Sequence, residues 1–126
     1  MTKDELKNRT KEFGKRIINM VNALPNNKAA NVISYQIIRS ATSVGANYRA
    51  TCRSRSTAEF ISKINIVMEE ADETLYWLEL LVETNLMKQK LLEELLTEAN
   101  ELTAIFASTL KTLRKNKSQH DRNLNS

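Results

Sequence analysis

The sequence predicts an all-α protein, an antiparallel up-down four-helix bundle. Three observations predict it. Glycine occurs twice and proline once among 126 residues, too few for the turns that a sheet protein needs. Leu is abundant, with Glu, Lys, Ala and Arg, and these are strong helix formers. Apolar residues recur three and four apart through four stretches separated by short breaks, which is the period of an amphipathic helix. Four such helices bury their stripes around one core, and a chain of this length carries one core and not two.

The first helix is expected over about residues 4–24. Leu6, Phe13, Ile17, Met20, Val21 and Leu24 recur at helical spacing, and Pro25-Asn26-Asn27 ends the run. The second is expected over about 28–53, with Ala30, Ile33, Ile37, Ala41, Val44 and Tyr48 on one side. Gly45 interrupts it at a cost of about 1 kcal/mol relative to Ala, and close packing against a neighbouring helix is reason enough to carry it.

The third helix is expected over about 57–84. Ser56-Thr57-Ala58-Glu59 has the capping-box pattern, in which hydroxyl and carboxylate each satisfy a free backbone N–H. Phe60, Ile64, Val67, Ala71, Leu75, Leu78 and Val82 form its core face, and Thr84-Asn85 ends it. The fourth is expected over about 88–115, with a wide stripe from Leu91 to Leu113. Residues 1–115 therefore make the bundle. Residues 116–126 are polar and aperiodic, and read as a disordered tail.

Charge is divided unevenly. Residues 1–56 hold 11 Lys/Arg against 3 Asp/Glu, and residues 57–126 hold 8 against 12. On the second helix Lys28, Arg39, Arg49 and Arg53 fall on one side, opposite Ala30, Ile37 and Tyr48, and Arg55 continues the charge into the next turn. Such a row can neutralise phosphates and release counterions, and guanidinium groups suit phosphate forks. Tyr35 shares the stripe and could stack on a base. Lys28, Arg39, Arg49, Arg53 and Arg55 are thus the candidate nucleic-acid-binding residues. The alternative is a solvated face, or one docked on the acidic third helix, where Arg39 would pair with Glu73. Ile66 and Trp77, 11 residues apart, share a meridian off the core centre and are the candidate oligomer interface. The alternative is that a wide core covers them.

Nothing in the pattern suggests an enzyme, so no catalytic residue is assigned. His120 lies in the expected tail, and a general base needs a held geometry. Cys52 reads as a small packed hydrophobe; one cysteine makes no internal disulfide and suits a reducing cytoplasm. Glu69, Asp72, Glu73, Glu79 and Glu83 fall opposite the core, without the Glu-x-x-His pairs of a di-metal bundle, so neither metal nor cofactor is expected. Arg114 and His120 have an R-x5-H spacing similar to that of all-α HEPN-class ribonucleases. The N-terminus lacks a signal-peptide pattern, and no apolar run is long enough to span a bilayer.

The stretch Gln36-Ile37-Ile38-Arg39-Ser40-Ala41-Thr42-Ser43-Val44-Gly45-Ala46-Asn47, then Ala58-Glu59-Phe60, then Glu69-Glu70-Ala71-Asp72-Glu73-Thr74-Leu75-Tyr76-Trp77-Leu78, resembles the four-helix-bundle family of 23S rRNA intervening-sequence proteins. The resemblance covers roughly residues 5–115. The family motif usually continues Asn-Ile-Ala-Glu-Gly, whereas here Asn47 is followed by Tyr48-Arg49-Ala50-Thr51 and a basic run. Members are encoded in insertions within 23S rRNA genes or stand alone, and the family has no established catalytic activity. It is similar to the accessory proteins of diversity-generating retroelements, which implies a homo-oligomer, a pentamer by that analogy, with a basic surface for RNA or DNA. The expectation is a non-catalytic, oligomeric, cytoplasmic bundle that binds nucleic acid and no membrane. The alternative is a protein–protein adaptor that meets an unidentified protein through the acidic third helix and the Trp77 flank.

Overall fold

The computed structural model describes residues 1–124 and holds four helices: α1 (Lys3–Val21), α2 (Lys28–Thr51), α3 (Thr57–Glu83) and α4 (Gln89–Leu124). No strand occurs among the described residues. The helices pack in a ring in chain order, with a thinner α1–α4 contact closing it. Neighbours run antiparallel. Gly14 of α1 faces Ala41 and Thr42 of α2, while Gly45 faces Thr10. Across the other seam Arg9 meets Glu98 and Glu101 of α4, whereas Arg16 meets Glu94.

Side-chain caps set the helix starts. Thr2 accepts the Glu5 N–H at 3.1 Å and Glu5 accepts the Thr2 N–H at 3.3 Å, a full capping box that starts α1 one residue earlier than its apolar pattern shows. Asn27 caps α2 through the Ala30 N–H. At α3 Ser56 accepts the Glu59 N–H at 3.1 Å, but the Glu59 carboxylate reaches one residue further back, to the Arg55 N–H at 3.0 Å. Just past the Thr84 cap of α3, Asn85 turns the chain at φ 59°. The Leu86 N–H bonds Leu81 O and the Asn85 N–H bonds Val82 O, a pairing that satisfies two free carbonyls.

The tail expected over 116–126 is corrected for 116–124, where α4 continues to Leu124; Asn125 and Ser126 lie outside the described residues. Two features carry the helix on. No Gly or Pro follows Gly45, and cations near a helix C-terminus are favoured by the macrodipole. Absence of an apolar stripe removes a reason to pack, not a reason to be helical.

Phe13, Ile17, Ile37, Val44, Ile64, Val67, Leu78, Leu81, Leu92, Leu102 and Phe106 are fully or almost fully buried in one core. Tyr48 of α2 packs on Phe106 of α4 with ring centroids 5.6 Å apart. Burial, then a hydrogen bond to Cys52, pushes the Tyr48 phenol up from its ordinary pKa. Besides Tyr48, the buried serine and threonine residues in or beside the core are Thr10, Ser40, Thr51 and Thr74 among the described residues. Each is hydrogen-bonded, as most buried polar groups are. Ser40 and Thr74 bond each other across the α2–α3 seam at 2.8 Å.

Part of the basic half is matched inside the fold. Arg9 forks onto Glu98, with Nε 2.8 Å from one oxygen, and reaches Glu101 at 2.5 Å. The hydrogen bond that Arg9 donates to Glu98 holds its guanidinium above its ordinary pKa, opposed by burial.

Candidate functional site

The candidate site is a groove between α1 and α2. Its floor is built of small residues, Thr10, Gly14, Thr42, Gly45 and Ala46. A Cβ on Gly45 would meet Thr10 O at 3.3 Å and Lys11 N at 3.4 Å, so glycine permits this close backbone approach. Lys7, Lys11 and Lys15 line the groove from α1, spaced four residues apart and therefore on one stripe. Arg49 lines it from α2, and Ile18 is its one large apolar side chain. The groove encloses about 530 Å³. No aromatic side chain lines it.

The lysines stand about 6 Å apart along the helix axis at 1.5 Å rise per residue. Lys7 pairs with Asp4 at 3.0 Å and Lys15 with Glu12 at 2.8 Å. Both are exposed pairs of the kind worth about 0–1 kcal/mol, so both cations stay available to an anion. Among the described residues Lys11 and Arg49 have no carboxylate within ion-pair distance. The groove therefore concentrates positive charge over a small-residue floor, an arrangement suited to a chain of phosphates.

The five cations read from the sequence fall in different places. Arg49 alone lines the groove. Arg53 and Arg55 are exposed in the α2–α3 turn. Lys28 is exposed at the opposite end of α2, about 30 Å from Arg49 along the axis. Arg39 is half-buried and bonded to Glu73 and, at 3.3 Å, to Glu70. It is an internal fastening, and the pairing with Glu73 named above as the alternative is the one formed. Glu73 accordingly sits in the α2–α3 seam, not on the acidic face opposite the core.

Ile66 is 43% exposed. Trp77 is half-buried, donates Nε1 to Glu73 at 3.0 Å, and meets Tyr76 edge-on at 5.0 Å. Tyr76 is 55% exposed and belongs to the same flank, which the spacing of Ile66 and Trp77 did not reveal. The lysine stripe of α1 was also missed, although Lys7, Lys11 and Lys15 are legible in sequence at i, i+4, i+8. Arg114 and His120 are both exposed. Six residues apart, they point about 120° away from each other around α4, so they do not converge on one site. Among the described residues no group of His, Cys, Asp and Glu could hold a metal ion, and no helix is long and apolar enough to cross a membrane.

Residues 3–108 match the family described as 23S rRNA-intervening sequence protein. No curated protein matches the chain. A solved structure similar to it is a protein with unknown function from the S23 ribosomal protein family of Bacteroides thetaiotaomicron. The two are 39% identical, with a TM-score of 0.80, over 88% of this chain and 99% of the other.

Proposed function

The chain belongs to the 23S rRNA-intervening sequence protein family, and from that premise we propose that it is a non-catalytic cytoplasmic bundle that binds RNA or DNA by the phosphate backbone. The observation that carries this reading is the α1–α2 groove, where Lys7, Lys11, Lys15 and Arg49 face one small-residue floor. Counterion release from a phosphate chain favours such a site, and the binding it gives is sequence-independent and salt-sensitive. The absence of aromatic residues from the lining argues for backbone contact without base stacking, in contrast to single-strand stacking platforms.

The test is a salt series with labelled RNA and DNA, using wild type and the Lys11→Glu/Arg49→Glu variant. Both residues lie on the rims of the groove, so the fold is expected to survive. Wild-type affinity should fall steeply with salt, and the variant should lose most of it. A variant that keeps its affinity overturns the groove assignment.

A second reading has its own observation. Ile66 and Tyr76 leave apolar surface exposed beside Trp77 on α3, which suits contact with another protein chain, including a second copy. Self-association and nucleic-acid binding are compatible, since the two surfaces lie on different helices.

A further inference from the structure

The last turns of α4 are used by neither the core nor the groove. Residues 114–124 are exposed throughout, and the family match ends at residue 108. Lys111, Arg114, Lys115, Lys117 and Arg122 stand on these turns against a single carboxylate, Asp121. Three pairs of them, 111/114, 111/115 and 114/117, have the spacing at which like charges on a helix repel. Among the described residues none of the five lies within ion-pair distance of a carboxylate. A bound polyanion would relieve this repulsion and tighten the helix.

The same turns face a second element. Arg114, Lys117, Ser118, Asp121 and Arg122 line a depression of about 590 Å³ with Ile61 of α3. Ile61 lies just past the turn that carries Arg53 and Arg55, so that turn and the end of α4 share one end of the bundle. Between Lys111 and Leu124 the only large apolar side chains are Leu113 and Leu124. That is too little for a helix lying in a membrane surface, which needs a continuous apolar face. A hydrated polyanion fits better than a lipid surface.

We propose that Arg114, Lys117 and Arg122, with Arg53 and Arg55, form a second contact for a nucleic-acid phosphate backbone, separate from the α1–α2 groove. The proposal rests on the reading that this protein binds nucleic acid. It gives a role to two arginines, Arg53 and Arg55, that lie outside the groove. It also assigns this chain a contact beyond the part matched by its family.

The experiment is fluorescence anisotropy of the full chain with a mixed-sequence DNA duplex across a salt series. Wild type is compared with Arg114→Gln/Lys117→Gln/Arg122→Gln and, separately, with Lys11→Gln/Arg49→Gln. The first variant should keep its helical fold, weaken binding about 10- to 100-fold at low salt, and flatten the plot of log affinity against log salt by about 2–3, at roughly 0.9 per phosphate contact. Added duplex should raise helicity in wild type more than in that variant. An unchanged slope and affinity in the α4 variant, with loss in the groove variant, overturns the second contact and leaves the groove reading intact. If wild type does not bind the duplex, both fall. If the α4 variant keeps duplex affinity but loses binding to phosphatidylserine vesicles, the helix end serves a membrane surface and the proposal is overturned.

Discussion

Trp77 donates its indole N–H to the Glu73 carboxylate at 3.0 Å, and the same carboxylate receives the Arg39 guanidinium from α2. Around this pair gather other residues of the motif by which the sequence resembles its family. Gln36 accepts from Arg39 at 3.3 Å, Glu70 takes the other arm of Arg39 at 3.3 Å, and Ser40 meets Thr74. The motif residues therefore fasten α2 to α3. That is a structural role, and it separates Arg39 from the other arginines.

Glu73→Ala should destabilise the fold by about 1–2 kcal/mol. It strands the Trp77 N–H and removes one of the two carboxylates of Arg39, at a site partly open to water. Arg39→Ala should cost a similar amount, and the double variant less than the sum, because the two share one interaction. Nucleic-acid affinity at matched folded fraction should not change. Chemical denaturation with a double-mutant cycle, and binding measured beside it, check this; a loss of affinity without a loss of stability would return Arg39 to the binding surface.

Gly45 and Gly14 make opposite predictions from the same substitution. Alanine in a helix interior gains about 1 kcal/mol over glycine. At Gly14 the nearest atom to a new Cβ is Ala41 O at 3.7 Å, an ordinary contact, so Gly14→Ala should be neutral or stabilising. At Gly45 the Cβ meets the α1 backbone at 3.3–3.4 Å, and backbone inside a helix cannot yield locally. Gly45→Ala should push α1 away and cost about 1–3 kcal/mol as overpacking does. Thermal denaturation of both variants decides the matter, and equal behaviour would show that the seam is slack.

Much of this architecture was legible in the sequence, for reasons that can be named. The period of the apolar residues placed all four helices, because each buries one stripe. The ends were less legible. α1 starts at a capping box that precedes its apolar pattern, and α4 runs on where the pattern stops, since helix continuation needs only the absence of a breaker. At the site, a single-helix wheel grouped Lys28 with Arg49, since angle around a helix ignores distance along it. It could not bring in Lys7, Lys11 and Lys15, because their partnership with Arg49 exists only once α1 packs on α2.

Acid should loosen the start of α3. The Arg55 N–H, then the Lys63 ammonium at 2.9 Å, hold the Glu59 carboxyl below the usual range. A depressed carboxyl stabilises the fold above its unfolded pKa, about 4.3, and that contribution is lost as pH falls through the lower folded value. The difference in thermal midpoint between wild type and Glu59→Gln should therefore shrink as pH drops through this window. A difference that stays constant would show that the carboxylate charge plays no part in the cap.

The exposed flank of α3 gives the last prediction. Ile66 and Tyr76 lie within about 80° of each other around the helix, with Trp77 beside them. The indole N–H of Trp77 is already committed to Glu73, so Ile66 and Tyr76 are the cleaner probes: replacing them removes apolar surface without breaking an internal hydrogen bond. If this flank joins copies of the chain, wild type should show a multiple of the chain mass by light scattering. Ile66→Glu/Tyr76→Glu should then reduce the mass toward that of one chain, because a charge at the centre of an apolar contact is costly to desolvate. Helical content should be unchanged, since both side chains stand outside the core. A variant that keeps the wild-type multiple would move the interface to another face. A wild type that is already a single chain would leave the flank for a different protein partner.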